Sequence, residues 1–392
     1  MELIVYAPVW GQSGFEHLSR ELLIALDQLA VNIELRPAQD WNFERVGLRP
    51  HVISRLVRMT QNRVNSLAPH VIYQIPKGQQ VTRNAPTVCY TLFETDRCPQ
   101  PWVEALNKMD KVFVFSEFNR KAWAASGIDE HRIEALPTAV DSFLYNPDGP
   151  RLEVANKKGF TFLCSGDFTE RKNFEAVVEA FVKEFTDGDA VTLIFKCHYG
   201  GFSKRYRREC MARLRHIALT FNSINPPRIL FWGDKISDIA MAALYRSVDC
   251  FVLASRGEGL GMQYMEAAAS GVPVIACDWG AQTDYLNVDN SFLVKSDLKI
   301  IDDPNYISKC LQALNSQWCQ VRINDLREAI RYVRDNYADA RQKSDKALEM
   351  ARQKTWQKMA IAFIKGIITM YDQKNDKNKS VSLNRLLAGA PQ

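Results

Sequence analysis

The chain alternates short, continuous apolar blocks with longer stretches whose apolar positions recur every three to four residues. ELIVYAP at 2–8 is nearly all apolar, the pattern of a parallel strand buried on both faces. A turn through Gly11 and Gly14 follows. FEHLSRELLIALDQLA then places Leu18, Leu22, Leu26 and Leu29 near helical spacing, and VNIELRP reads as a second strand. Strand, glycine turn, helix and strand make a βαβ unit. HVIYQI (70–75), PTVCYTLF (86–93) and KVFVFS (111–116) predict further strands with helical runs between them. The helix EFNRKAWAAS stops at Gly127, a residue suited to a helix C-terminus. This alternation predicts an α/β domain with an open, doubly wound parallel sheet.

Between 142 and 160 the pattern lapses into SFLYNPDGPRLEVANKKG, rich in Pro, Gly and charge, which reads as a linker. It then restarts. GFTFLCSG, AVTLIFKC, RILFWG, DCFVLAS, PVIACD and SFLV predict strands. KNFEAVVEAFVKEF, RRECMARLRHIAL, SDIAMAALYRSV and GMQYMEAAASG predict the helices between them. The two α/β halves show no internal sequence repeat. From about 305 the chain reads as helix, over 305–318, 325–337 and 339–372, with a polar tail from 372. The expected boundaries are a first domain at 1–152, a second at 153–354, and a C-terminal helix at about 355–392 packing back on the first.

A length of 392 residues suits two domains, and a charged fraction of 24% excludes wholesale disorder. Charge interrupts every apolar stretch too early for a membrane-spanning helix. MELIVYAPVW lacks the basic start and cleavage site of a secretory signal, so the expected location is the cytoplasm. Nine scattered cysteines with no C-x-x-C pair predict buried, reduced thiols and no zinc site. Net charge is −2 over 1–150 and +7 over 151–392, which makes the second half the expected host of an anionic ligand.

The richest chemistry lies in Ser255-Arg-Gly-Glu-Gly-Leu-Gly-Met-Gln-Tyr-Met-Glu266, directly after the strand DCFVLAS. Gly257, Gly259 and Gly261 allow close backbone approach to a ligand. The helix that begins near Met262 presents free N–H groups to an anion such as phosphate. Glu258 lies in the loop and Glu266 about two turns into the helix. Acids so placed suit sugar hydroxyls rather than phosphate. The plainer reading is an exposed turn with solvated acids. A second stretch, Ser165-Gly166-Asp-Phe-Thr-Glu-Arg171-Lys172-Asn173, sets two adjacent cations at the carboxyl edge of a strand, where open α/β sheets bind ligands.

Together these stretches resemble the retaining, nucleotide-sugar-dependent GT-B glycosyltransferases of family 4. The resemblance rests on Glu258-x7-Glu266 with Gly271-Val-Pro-Val274, and on Gly166 with Arg171-Lys172-Asn173. It extends to Phe231-Trp-Gly233, Leu244-Tyr245, Val248–Val252 and Val114–Phe118. It implies two Rossmann-like domains facing across a cleft, donor on the second and acceptor on the first, with Trp356 in the helix that returns to the first. Arg171 and Lys172 would neutralise the diphosphate. Glu258 would meet the transferred sugar and Glu266 the ribose. Gly166, Asn173, Gly259, Leu260, Gly261 and Met262 would complete the donor site, and Lys235 and Ile236 would line the base pocket. Gly14 would admit acceptor and donor phosphate. The resemblance implies no cofactor beyond a UDP-, GDP- or ADP-sugar co-substrate and no metal, since two side-chain cations can replace a divalent ion. The acceptor would be a glycan, a lipid-linked saccharide or a protein.

One departure stands out. Many relatives carry His near the end of a central strand of the first domain, where this chain has Tyr90–Arg97. Glu94 and Asp96 either orient an acceptor hydroxyl there or are loop structure. His17 lies close enough to the first glycine turn to be an acceptor-side candidate, and Lys196 is a further candidate phosphate or sugar contact. Asp187-Gly188-Asp189 is a D-x-D sequence in a predicted turn and is read as solvated. The basic run 204–215 is either a solvated helix face or a peripheral contact with anionic membrane at its inner surface. No nucleic-acid module is present in the sequence. The competing functional readings are a catalytically silent sugar-nucleotide-binding subunit and another GT-B enzyme, such as a sugar-nucleotide epimerase or a glycan phosphorylase.

Overall fold

The structure, a computed structural model, describes residues 1–11, 13–38, 48–76, 84–198, 204–222, 224–234, 236–302 and 315–375. The chain divides into two compact units. One comprises 1–93, 97–139 and the residues from Lys354 on. The other comprises Glu94–Asp96 and Val140–Gln353.

In the first unit, β1 (Glu2–Ala7), β2 (Asn32–Pro37), β3 (His70–Ile72), β4 (Thr87–Thr91), β5 (Lys111–Val114) and β6 (Ile133–Ala135) form a parallel sheet in the order β2-β1-β3-β4-β5-β6. Its helices are α1 (Gly14–Gln28), α2 (Pro50–Gln61), α3 (Gln100–Leu106) and α4 (Glu117–Ala125). A capping box fixes the start of α1. Ser13 accepts from the Glu16 N–H, and the Glu16 carboxylate accepts from the N–H groups of Gly11 and Ser13. Arg20 reaches back to the carbonyls of Val9 and Gly11, so the turn after β1 is tied down by its own helix.

The second unit carries β7 (Phe160–Asp167), β8 (Val191–His198), β9 (Arg228–Trp232), β10 (Cys250–Leu253), β11 (Val274–Cys277) and β12 (Phe292–Val294), parallel in the order β12-β11-β10-β7-β8-β9. Helices α5 (Phe174–Glu184), α6 (Lys204–Phe221), α7 (Asp238–Tyr245) and α8 (Met262–Ala269) connect these strands. The sheet core is dry: Phe162, Leu163, Leu193, Ile194, Phe251 and Val252 are fully buried. The second sheet agrees with the sequence reading strand by strand, and the first does so for β1 to β5; the short edge strand β6 is not predicted by the pattern. The two are the parallel sheets of two Rossmann-like domains.

Three further stretches depart from that reading. Residues 305–314 of the helix expected at 305–318 lie outside the described residues. Its end is a strand, β14 (Gln317–Val321), paired antiparallel with β13 (Ser296–Ile300). Trp318, Cys319 and Val321 are buried there, and the Cys319 N–H donates to the Arg256 carbonyl at 2.8 Å. The partner is distant in sequence, so no local pattern announces it. The long helical run at 339–372 is two helices. After α9 (Ile323–Asp335) come α10 (Tyr337–Arg352) and α11 (Trp356–Asn375), separated where Thr355 caps α11 by accepting from the Lys358 N–H. The stretch 140–152 packs on the second unit: the Leu152 N–H donates to the Ala243 carbonyl and Arg246 to the Pro150 carbonyl. In the first unit α11 packs against α1 and β5. Residues 376–392 of the C-terminal segment lie outside the described residues.

Candidate functional site

β7 and β10 are parallel neighbours, so the loops that follow them leave the same sheet edge side by side. Backbone joins them. The Arg256 N–H donates to the Arg171 carbonyl at 2.7 Å, and the Arg171 guanidinium donates to the Gly257 carbonyl at 2.6 Å. Ser255 Oγ lies within reach of both carbonyls. Arg256 also clamps Glu170 through its carbonyl and carboxylate, and donates to Gln320 of β14.

This double loop brings together the acid and the two cations singled out in the sequence. Lys172 Nζ lies 2.6 Å from Glu258 Oε1, with both side chains buried, and Arg171 lies 3.3 Å from Glu258 Oε2. Arg171 is also 3.4 Å from the Glu94 carboxylate, which packs with this unit. Burial works against the charge on Glu258. The fields of Lys172 and Arg171 and hydrogen bonds from Lys172 and Ser255 outweigh it, and hold the carboxyl below its ordinary range. The result is a buried, ionised acid between two cations, with its carbonyl anchored by the Ala281 N–H at 3.0 Å.

Gly261 turns the chain into α8. Its φ is +78°, and a Cβ there would lie 2.8 Å from the Tyr264 ring and 3.0 Å from Tyr285 Oη. Both rings are fixed. Tyr264 donates to the Leu253 carbonyl at 2.9 Å, and the Tyr285 hydroxyl sits 2.9 and 2.7 Å from the carbonyls of Leu260 and Gly261. Gly259 and Leu260 are buried in the turn, and Met262 opens the helix. Glu266 lies on α8, where Tyr245 donates to its Oε2 at 3.0 Å, and the Tyr145 ring packs edge to face on Tyr245. Burial, reinforced by nearby Asp238, pushes the Glu266 carboxyl up to about 8 against the opposing pull of the two tyrosines and Lys172.

The remaining donor-side candidates sit around this centre. Gly166 (φ +142°) passes close under the Lys172 stem. Asn173 takes a left-handed conformation at the head of α5, with its buried Nδ2 making no hydrogen bond to protein. Ile236 packs against the core just before α7. Lys235 lies outside the described residues. Lys196 is buried near the end of β8 and its ammonium is pulled down by desolvation. The acceptor-side candidates divide between the two units. Gly14 and His17 are in the first unit at the start of α1. Asp96 is engaged with the β14 backbone, where its carboxylate accepts from the Gln317 N–H at 2.6 Å.

Sequence reading missed Tyr245 in its contact with Glu266, Tyr285, and the Arg256–Glu170 clamp. Buried tyrosines in apolar runs look like core, and only a contact across the fold shows their hydroxyls at work. The D-x-D turn is engaged locally, with Asp189 accepting from Thr186 and Asp187 lying 3.8 Å from Lys158. Ion pairs absorb much of the basic run: Arg205 with Glu209, Arg207 with Asp234, and Arg213 with Glu170 and Glu175. Eight of the nine cysteines lie in described residues, buried and free. No helix among the described residues is long and apolar enough to cross a membrane.

Residues 159–315, which contain this whole loop system, match the family Glycosyl transferases group 1. The fold is GT-B. Sucrose-phosphate synthase from Thermosynechococcus elongatus superposes with a TM-score of 0.65 at 16% identity, over 96% of this chain and 100% of that one. Anabaena HepE in complex with UDP-glucose superposes with a TM-score of 0.64 at 12% identity, over 94% and 100%. In sequence, the chain is 24% identical over 200 residues to a GDP-mannose-dependent α-(1-6)-phosphatidylinositol monomannoside mannosyltransferase of Mycobacterium tuberculosis. That match spans 47% of this chain and 48% of the relative, so the chain covers about half the length of the curated relative it matches.

Proposed function

We propose that this protein is a retaining glycosyltransferase of family 4 that moves a hexosyl group from a nucleoside-diphosphate sugar to a hydroxyl of a glycan, lipid-linked or protein acceptor. The observation that carries the reading is the buried Arg171–Lys172–Glu258 cluster at the head of the glycine turn, inside the family-matched segment. A diphosphate leaving group gains negative charge as its bond to the sugar breaks. In this reading Arg171 and Lys172 stabilise that charge, together with the free N–H groups at the start of α8. Glu258 pre-pays their desolvation by pairing with them before substrate arrives, and in this reading meets the transferred sugar. Glu266 reads the ribose diol. The acceptor attacks on the face the phosphate leaves, and a departing phosphate oxygen takes its proton, so the reaction needs no protein base and no divalent ion. Glu94 and His17 are proposed on the acceptor side.

A thermal-shift screen of UDP, GDP, ADP and their hexose conjugates tests this, because a ligand that binds only the folded state raises Tm. One nucleoside diphosphate should raise Tm equally with and without EDTA, and the shift should vanish in Glu266→Ala and shrink in Arg171→Ala. Loss of the shift with EDTA would remove the metal-independent reading. Binding without turnover against any acceptor would mark a silent sugar-nucleotide-binding subunit instead.

The pH dependence of that binding has a definite sign. The carboxylate, not the carboxylic acid, accepts two ribose hydroxyls, and the Glu266 carboxyl titrates near 8. Below that pH, binding must release a proton, so affinity should climb about fivefold from pH 7 to pH 8 and level off above pH 9 at about tenfold its pH 7 value. Titration calorimetry in buffers of different ionisation heat would measure the proton released. A flat profile would show that Glu266 binds without ionising.

A further inference from the structure

We propose that Tyr285 is a positioning residue for the donor diphosphate: its buried hydroxyl holds the Leu260 and Gly261 carbonyls, and so aims the N–H groups of Gly261 and Met262 at the anion. This rests on the diphosphate reading of the glycine turn. Tyr285 follows a short 3-10 turn, Ala281–Asp284, in the connection after β11. That connection holds three carbonyls of the glycine turn. The Ala281 N–H donates to the Glu258 carbonyl at 3.0 Å, and Tyr285 Oη lies 2.9 Å from the Leu260 carbonyl and 2.7 Å from that of Gly261. A hydroxyl carries one proton, so the two carbonyls share it as a three-centre bond. The Gly261 carbonyl has a second donor in the Tyr264 N–H at 3.1 Å, whereas among the described residues the Leu260 carbonyl has Tyr285 alone. Tyr285 is itself buried and fixed at its backbone. Its N–H donates to the Gln282 carbonyl at 3.2 Å, and its carbonyl accepts from Asn290 Nδ2 at 2.9 Å.

The consequence follows from the peptide plane. In a trans peptide the C=O of one residue and the N–H of the next point in opposite directions. The carbonyls of Glu258, Leu260 and Gly261 are bonded to the 281–285 segment, so the N–H groups of Gly259, Gly261 and Met262 point away from it. Among the described residues those three N–H groups donate to no protein acceptor. Successive N–H groups turned to one side of a glycine turn, at the start of a helix, suit a phosphate. Without the Tyr285 hydroxyl the Leu260–Gly261 peptide would be free to rotate, and its N–H would lose its aim.

The experiment measures Kd for uridine, guanosine and adenosine and for their diphosphates, in wild type, Tyr285→Phe, Tyr264→Phe and Arg171→Ala. The readout is the preference for diphosphate over nucleoside, because a general loosening of the fold weakens both alike and leaves the preference unchanged. Wild type should prefer the diphosphate of one base. Tyr285→Phe, which keeps the ring, should lower that preference about three- to tenfold, the worth of one hydrogen bond, while binding the nucleoside as wild type does. Tyr264→Phe is the comparison: it loses an equally buried hydroxyl, bonded to the Leu253 carbonyl in β10 and not to the turn, and should keep the preference. If Arg171→Ala lowers the preference and Tyr285→Phe keeps it, or if Tyr264→Phe lowers it as much as Tyr285→Phe does, the positioning role is refuted while the diphosphate reading stands. If Arg171→Ala keeps the preference, or wild type binds no diphosphate more tightly than its nucleoside, the diphosphate reading fails and the positioning role with it.

Discussion

Replacing Lys172 with Met should lower turnover by about 100- to 1,000-fold, the range seen when a preorganised group that stabilises developing charge is removed. It should also destabilise the second unit. Glu258 would be left buried with Arg171 alone, at 3.3 Å rather than the 2.6 Å of the Lys172 contact. Removing one partner of a buried pair typically costs roughly 3–5 kcal/mol, and the lower end applies because Arg171 remains. For a unit of this size about 3 kcal/mol corresponds to a Tm drop of roughly 6–12 °C. The double variant Lys172→Met/Glu258→Gln separates the two effects. Without a buried charge to strand, it should recover most of the lost Tm and none of the lost turnover. Calorimetry of the four corners of this cycle, with steady-state kinetics on the same samples, decides the matter. A double variant that regained activity would show that Lys172 acts only by neutralising Glu258.

The second large effect is expected at Gly261. Alanine there must adopt φ +78°, which costs about 1 kcal/mol or more for a residue with a Cβ. Its methyl would also meet the Tyr264 ring at 2.8 Å and Tyr285 Oη at 3.0 Å. Neither tyrosine can yield cheaply, because each hydroxyl is bonded to a backbone carbonyl. The turn must therefore move, and the first N–H groups of α8 move with it. Turnover should fall at least 100-fold and KM for the donor should rise, with a Tm loss of only a few degrees, since the displaced loop lies at the sheet edge and not in its core. Wild-type kinetics in Gly261→Ala would mean that the start of α8 does not hold the diphosphate.

The regular parts of both units are written locally. Continuous apolar blocks such as FTFLCSG and DCFVLAS can be buried only in a parallel sheet, and the intervening amphipathic runs can only cover it. The order of the blocks gave two doubly wound sheets without any contact being known. The site was legible to the same extent: Gly257, Gly259 and Gly261 before a helix, and Arg171-Lys172-Asn173 before another, announce ligand loops at strand ends. The strand Gln317–Val321 was not legible, because what makes it a strand is pairing with Ser296–Ile300 and a bond to Arg256, and sequence periodicity carries no record of a distant partner.

The tertiary structure alone decided which of these residues meet. Lys172 and Glu258 are far apart in the chain and 2.6 Å apart in space, because β7 and β10 are adjacent in the sheet although three strand–helix steps separate them. The same adjacency changes Glu258 from an acid in a loop into a buried charge held by two cations. Tyr245 reads as core by composition, and only the packing of α7 against α8 brings its hydroxyl to Glu266. Composition and periodicity fix elements, because backbone geometry and burial act over a few residues. Pairing, ionisation and positioning depend on neighbours across the sheet, and those exist only once the strands have taken their order.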